Sequence, residues 1–379
     1  MQLATYVYAP ATGWNRPLNP GLDSAATWVI IFGGSGVDEL MHGMNDLRQA
    51  YPLAAWMGCS TAGEIHGNSL GDNSLVVAVM KFAHTQLRMV GAKIENPEES
   101  AKIGAQLGAE LAAPDLAAVF LLSDGLSVNG SRLIESLSGA LKPGVVVTGG
   151  LAGDGDRFHK TWVIQDKKPQ AHYVTAVGLY GDRLGVAHGS RGGWDVLGPE
   201  REVTRSRGNV LLEIDGQPAL TLYKKYLGDR ADGLPATGLL FPLAIRNQRE
   251  EDGLTVRTIL SVSEAENSIV FAGDIPQGSF VRLMRANFER LIDGAAQAAS
   301  CITLDDYQGG PMLTVGISCI GRRLVLGQRT EEEIDAVRKS LPQDSELVGY
   351  YSYGELSPLT SGRCDLHNQT MTLSTFWEK

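Results

Sequence analysis

Residues 27–65, TWVIIFGGSGVDELMHGMNDLRQAYPLAAWMGCSTAGEI, decide the fold. The run TWVIIFGG (27–34) is short, apolar and closed by glycines, the pattern of a buried strand. Behind it Leu40, Met44, Leu47 and Ala50 recur at helical spacing, which predicts a helix with one apolar face. LAAWMGCSTAGEI (53–65) then carries a second strand into a loop of small residues. Strand, helix, strand in close succession is the pattern of a βα-alternating sheet.

Working outward, residues 74–80 and 85–91 read as strands of a hairpin, followed by a helix over 97–112 and a strand over 117–123. A helix over 130–140 and a strand over 145–149 come next, then antiparallel strands at 161–165, 172–180 and 184–189. The segment 191–217 is rich in glycine, proline and charge and reads as a connector and hinge between two domains, 27–215 and 216–376. Beyond it the pattern predicts helices at 217–226, 282–300 and 330–340. Strands are expected at 239–246, 255–261, 268–272, 312–319, 347–353 and 368–376, with a basic turn at 321–329. No short-period repeat or low-complexity tract is visible. The expected fold class is mixed α/β to α+β: two linked domains with largely antiparallel or mixed sheets flanked by helices.

The formal net charge of -10 argues against general affinity for nucleic acid or anionic membrane, which need a basic surface. The start, MQLATYVYAPATGWNRPLNP, lacks a basic lead and a long apolar run, so no signal peptide is expected. No apolar run is long enough to span a bilayer. Cys59, Cys301, Cys319 and Cys364 are scattered, without metal-finger spacing, and read as reduced thiols of a cytoplasmic chain.

Eight stretches resemble, in order, the FIST family. They are GCSTAGEI (58–65), GGLAGDGDRF (149–158), HGSRGGW (188–194), VTRSRGNVLLEIDGQPALTLYKKYLG (203–228), FAGDIPQGS (271–279), GRRLVLGQRTEEE (321–333), GYYSYGELSP (349–358) and LHNQTMTL (366–373). The earlier ones resemble the family's N-terminal domain and the later ones its C-terminal domain. The resemblance implies a bacterial sensory protein for small ligands such as amino acids, with output through a separate signalling protein. Some family members resemble haem-based nitric oxide sensors that control a histidine kinase and cyclic-di-GMP signalling, which adds haem as a cofactor expectation.

On this reading the glycine-dense loops line a ligand pocket. Cys59, Ser60, Thr61 and Glu64 offer thiol, hydroxyl and carboxylate groups at a strand end, and a local tight turn accounts for them equally. Gly150, Asp154 and Arg157 lie in a loop whose acids disfavour a nucleotide; the two charges suit a zwitterion or an internal pair. Asp124 ends a strand, where ligands and helix caps both occur. Alternation sends Tyr351, Tyr353 and Glu355 to one face. If haem binds, His188 and His367 are the axial candidates. The basic residues Arg201, Arg205, Arg207, Lys224 and Lys225, like Arg322, Arg323 and Arg329, suit an acidic partner or a solvated surface. The competing reading is a thiol- or serine-dependent hydrolase centred on Cys59 or Ser60, which requires a base beside the nucleophile.

Overall fold

Strand Thr27–Gly33, helix Val37–Ala50 and strand Ala55–Ser60 form as expected, with the two strands parallel and Ile31 opposite Gly58. The helix buries Leu40, Met44, Leu47 and Ala50, the face set by their spacing, against Val29, Ile31, Val77 and Val79. A computed structural model describes residues 1–246, 254–359 and 361–379.

The same unit recurs twice. Leu116–Ser123 and Val146–Leu151 are parallel neighbours linked through helix Gly130–Gly139. Met312–Cys319 and Ser345–Ser352 are parallel neighbours linked through helices Ile320–Leu326 and Thr330–Ser340. In every copy a later strand runs antiparallel on the free side of the first: Leu75–Lys81, Tyr173–Tyr180 and Met371–Glu378. An earlier strand lies beyond that: Gln2–Ala9, Gln86–Lys93 and Leu184–Arg191.

The hairpin that leaves each second parallel strand joins the sheet of another copy. The pair Glu64–His66 and Ser69–Gly71 adds to Ser345–Ser352. Val163–Gln165 and Lys168–Gln170 add to Ala55–Ser60. Gly354–Pro358 and Cys364–His367 add to Val146–Leu151. The exchange is therefore cyclic, and it interlocks three sheets that share one six-strand order, the first with an added edge strand at Gly13–Trp14. Where the sheets face one another, Trp28, Phe120 and Phe376 meet edge to face at 5.5, 5.6 and 6.1 Å.

A fourth, antiparallel sheet is inserted between strand Leu184–Arg191 and helix Phe288–Ser300. It contains Arg201–Arg207, Val210–Ile214, Leu243–Arg246, Thr255–Arg257, Ile259–Ser263, Ser268–Phe271 and Phe280–Arg285. With helix Ala219–Leu227 it encloses its own core, including Leu211, Tyr223, Phe271 and Val281. Parallel and antiparallel pairs thus coexist in a mixed α/β architecture of two domains.

Several local expectations give way. The segment 191–217 is not an open connector: Arg201–Arg207 pairs with Val210–Ile214, and Ile214 pairs with Gln217. Residues 282–285 belong to a strand, and the helix starts only at Phe288, where the Asn287 side chain caps it by accepting from Arg290 N. Strands Leu75–Lys81 and Gln86–Lys93 lie in different sheets, because the short turn between them passes from one copy to the next.

The second strand of each copy approaches the first unusually closely at a glycine. A Cβ on Gly58 would lie 2.3 Å from Ile31 O, one on Gly149 1.8 Å from Leu121 O, and one on Gly349 1.8 Å from Gly316 O. Gly149→Ala is expected to cost at least about 3 kcal/mol, because the clash is with backbone and φ is +144°. Gly216→Ala, at φ +72° in open space, should cost only about 1 kcal/mol. Urea unfolding of the two variants checks the difference.

Candidate ligand cleft

Past each of these glycines the chain reaches a Gly–acid pair: Gly63–Glu64, Gly153–Asp154 and Gly354–Glu355. All three acids are buried at the crossing into the next sheet. Ser74 N and Oγ donate to Glu64 at 3.0 and 2.8 Å, and Thr61 Oγ1 also donates. Glu355 accepts from Ser352 Oγ at 2.7 Å, Thr370 Oγ1 at 2.9 Å and Thr370 N at 3.3 Å. Asp154 accepts from Phe158, His159 and Lys160 N–H groups at 2.9, 3.0 and 2.9 Å, and from the Tyr353 hydroxyl. These carboxylates hold the crossings together.

Their electrostatics differ. Burial pushes Glu64 up to about 7 and Glu355 up to about 8, outweighing the donated bonds. Burial opposes ionisation of Asp154 as well, but Tyr353 and three backbone N–H groups win and hold it below its usual value.

Cys59 is buried, its thiol pushed up by burial, with the Tyr350 hydroxyl beside it. Ser60 Oγ accepts from Trp162 N at 3.0 Å, and Thr61 serves Glu64. A Cβ on Gly150 would meet Tyr350 Oη at 2.7 Å. Asp124 is buried in a turn, accepting from Leu126 and Ser127 N at 2.9 and 2.7 Å and from Thr161 Oγ1 at 2.7 Å. Arg157 reaches Ser35 Oγ at 3.0 Å.

The shared face expected for Tyr351, Tyr353 and Glu355 does not form. The strand breaks at Tyr353, where the chain changes sheet, so alternation cannot continue. Tyr351 is buried and donates to Glu333 Oε1 at 2.9 Å. Tyr353 instead turns toward a cleft and stacks on Phe158 with centroids 4.5 Å apart.

That cleft, about 990 Å³, lies between the three-sheet body and the inserted sheet. The body contributes Leu126, Asn129, Arg132, Phe158, Ile320, Leu324 and Tyr353. The insert contributes Arg207, Asn209, Leu234, Thr258, Leu260 and Phe271. Of the residues expected to bind ligand, Tyr353 lines the cleft and Asp154 braces it from behind. Cys59, Ser60, Thr61, Glu64, Asp124, Gly150, Tyr351 and Glu355 are committed to packing and crossings, and Arg157 lies outside the lining. Phe158, Leu324 and Phe271 fall within quoted motifs, yet nothing local marks them as facing one space. Leu126, Arg132, Thr258 and Leu260 carry no sequence signal.

None of the seven histidines lines the cleft. His188 is half-buried on strand Leu184–Arg191, and His367 is buried with Nε2 3.0 Å from Ser357 O. Burial pushes both imidazoles below their usual value. An imidazole-ligated haem therefore does not fit this cleft. No group of three or more ligating side chains suited to a metal ion occurs among the described residues.

The basic residues are largely paired. Arg201 meets Asp215 at 2.7 Å, Arg205 meets Glu213 at 2.8 Å, and Lys224 meets Glu264 at 2.5 Å. Arg322, expected in a turn, is buried in a helix against Glu333, and Arg323 meets Asp72 at 2.7 Å. No helix among the described residues is long and apolar enough to cross a membrane.

Comparison with known proteins gives two family matches: the model described as the FIST N domain over residues 27–217, and that described as the FIST C domain over residues 219–358. An uncharacterized protein of Methanocaldococcus jannaschii is 23% identical over 353 residues, covering 84% of this chain and 67% of that protein.

Two outcomes follow from the buried groups. Folding favours neutral Glu355, so its contribution is complete below about pH 4.5 and is lost as the pH rises to about 8. Glu355→Gln should therefore gain on the wild type by about 1.4 kcal/mol per pH unit across that window, as read from urea midpoints at pH 5 and pH 8. Iodoacetamide should modify half-buried Cys301 before buried Cys59 in the native protein, as read by peptide mass spectrometry.

Proposed function

Since the chain belongs to the FIST family, with N and C domains together spanning most of its length, we propose that it is a sensor whose small ligand binds in the cleft between body and insert. FIST domains are associated with sensing of small ligands in signal transduction. The observation that carries the site assignment is that two separately packed domains wall one large cavity. A ligand touching both walls binds one relative arrangement better than others and shifts the population toward it. The output is relative motion of the insert, read by a separate signalling protein rather than by turnover of the ligand.

A ligand carboxylate, such as an amino acid or another organic acid carries, suits the cleft arginines. The Cys59 hydrolase reading draws no support from a thiol pushed up by burial and a Ser60 hydroxyl that accepts from backbone.

A thermal-shift screen of amino acids and small organic acids tests the assignment. A ligand present at a hundred times its Kd should stabilise the fold by about 2.7 kcal/mol. Leu324→Glu, at an exposed cleft position, should abolish that shift, whereas Glu64→Gln, outside the cleft, should leave the Kd within about two-fold. Retention of the shift in Leu324→Glu would remove the cleft as the site.

A further inference from the structure

We propose that the ligand of the cleft is an organic carboxylate whose bulk is apolar, such as an aryl- or alkyl-substituted acid, rather than a small polar amino acid. This rests on the cleft being the sensory site and specifies what occupies it.

The first support is the apolar wall. Leu126, Phe158, Leu260 and Leu324 are 38%, 46%, 46% and 42% exposed, and all four line this one cavity. Large apolar side chains left in water in one concave place mark a binding surface. Phe158 is held there at φ +53°, an uncommon backbone for a bulky residue. Its stack on Tyr353 and its N–H bond to Asp154 fix that geometry. The volume, about 990 Å³, lies near the top of the range of about 300–1,000 Å³ for small-molecule pockets. A small polar ligand would leave most of that wall wet.

The second support is a polar end with a group awaiting a partner. Thr258 is 7% exposed and is among the lining residues, and its hydroxyl, itself closed off from solvent in the unliganded cleft, has no hydrogen-bond partner among the described residues. A buried polar group without a partner is costly, so a ligand atom that bonds it is favoured. Thr258 O accepts from Ala272 N, two residues before Asp274, whose carboxylate takes Asn129 Nδ2 at 2.8 Å and Arg132 Nε at 3.2 Å. Thr258 and Arg132 are thus linked through the segment 272–274.

The third support is charge. The lining carries Arg132 and Arg207 against Glu98, and since Arg132 is paired with Asp274 at 3.2 Å, Arg207 is the guanidinium left for a ligand. Arg207 is barely engaged, 3.9 Å from Glu266 with both side chains largely exposed. An anionic head beside Arg207 with an apolar body against the leucines and Phe158 satisfies both parts of the cleft.

Isothermal titration of the full chain with 3-phenylpropionate and decanoate tests this, with glutamate, decylamine and 1-decanol as comparators. At least one of the two carboxylates should bind one-to-one and ten-fold or more tighter than glutamate or decylamine. Arg207→Gln should weaken it at least five-fold while leaving 1-decanol unchanged, and Leu260→Glu should abolish it. Thr258→Val should weaken the carboxylate two-fold or more yet raise the unliganded Tm, a combination that general damage to the fold would not produce. Glutamate binding in the cleft while both apolar acids stay inert would overturn the ligand class and leave the site standing. Carboxylate binding indifferent to Arg207→Gln and Leu260→Glu would overturn the inference as adventitious. Absence of binding by every probe would overturn both.

Discussion

Three glycines let three pairs of parallel strands close, and the rest of the molecule follows from that contact. Gly58, Gly149 and Gly349 each face a backbone carbonyl at a distance no Cβ could tolerate. A few residues later each chain segment leaves its own sheet through a Gly–acid pair and completes another. Strand edges that would otherwise attract foreign chains are consumed inside the molecule. Because the first hairpin enters the sheet built by residues 312–378, the two ends of the chain depend on each other to fold.

The buried acids make the crossings specific. Glu64, Asp154 and Glu355 are surrounded by hydroxyls and backbone N–H groups, so a slipped crossing would leave a buried carboxyl group without partners. Arg322 and Glu333 play a comparable part on the helical side, where the guanidinium also reaches Leu291 O at 2.7 Å. Such a network is costly to bury and costlier to break, which favours one assembly over its alternatives. Asp154 connects this scaffold to the cleft, since it holds Tyr353, and Tyr353 holds Phe158.

The cleft lies where the insert, which has its own core, meets the body. Helix Ile320–Leu326 stands at that junction: it presents Ile320 and Leu324 to the cavity and anchors Arg322 in the body. Under the proposed sensory role, movement of the insert would be felt by a helix tied directly into the interlocked sheets.

Much of the local structure was legible in the sequence. Apolar runs ending in glycine set the strands, and the Leu40, Met44, Leu47, Ala50 spacing set the helix face, because period and burial are local properties. The ordered motifs were enough to indicate the family. The threefold exchange was not legible, although Gly–acid pairs occur at 63–64, 153–154 and 354–355, because strand pairing between residues nearly 300 apart leaves no period in the chain. The acids and thiol expected at a ligand site are drawn inward by those pairings. The cleft residues come from separate segments, and only packing of the insert against the body decided that Leu126, Thr258 and Leu324 face one space.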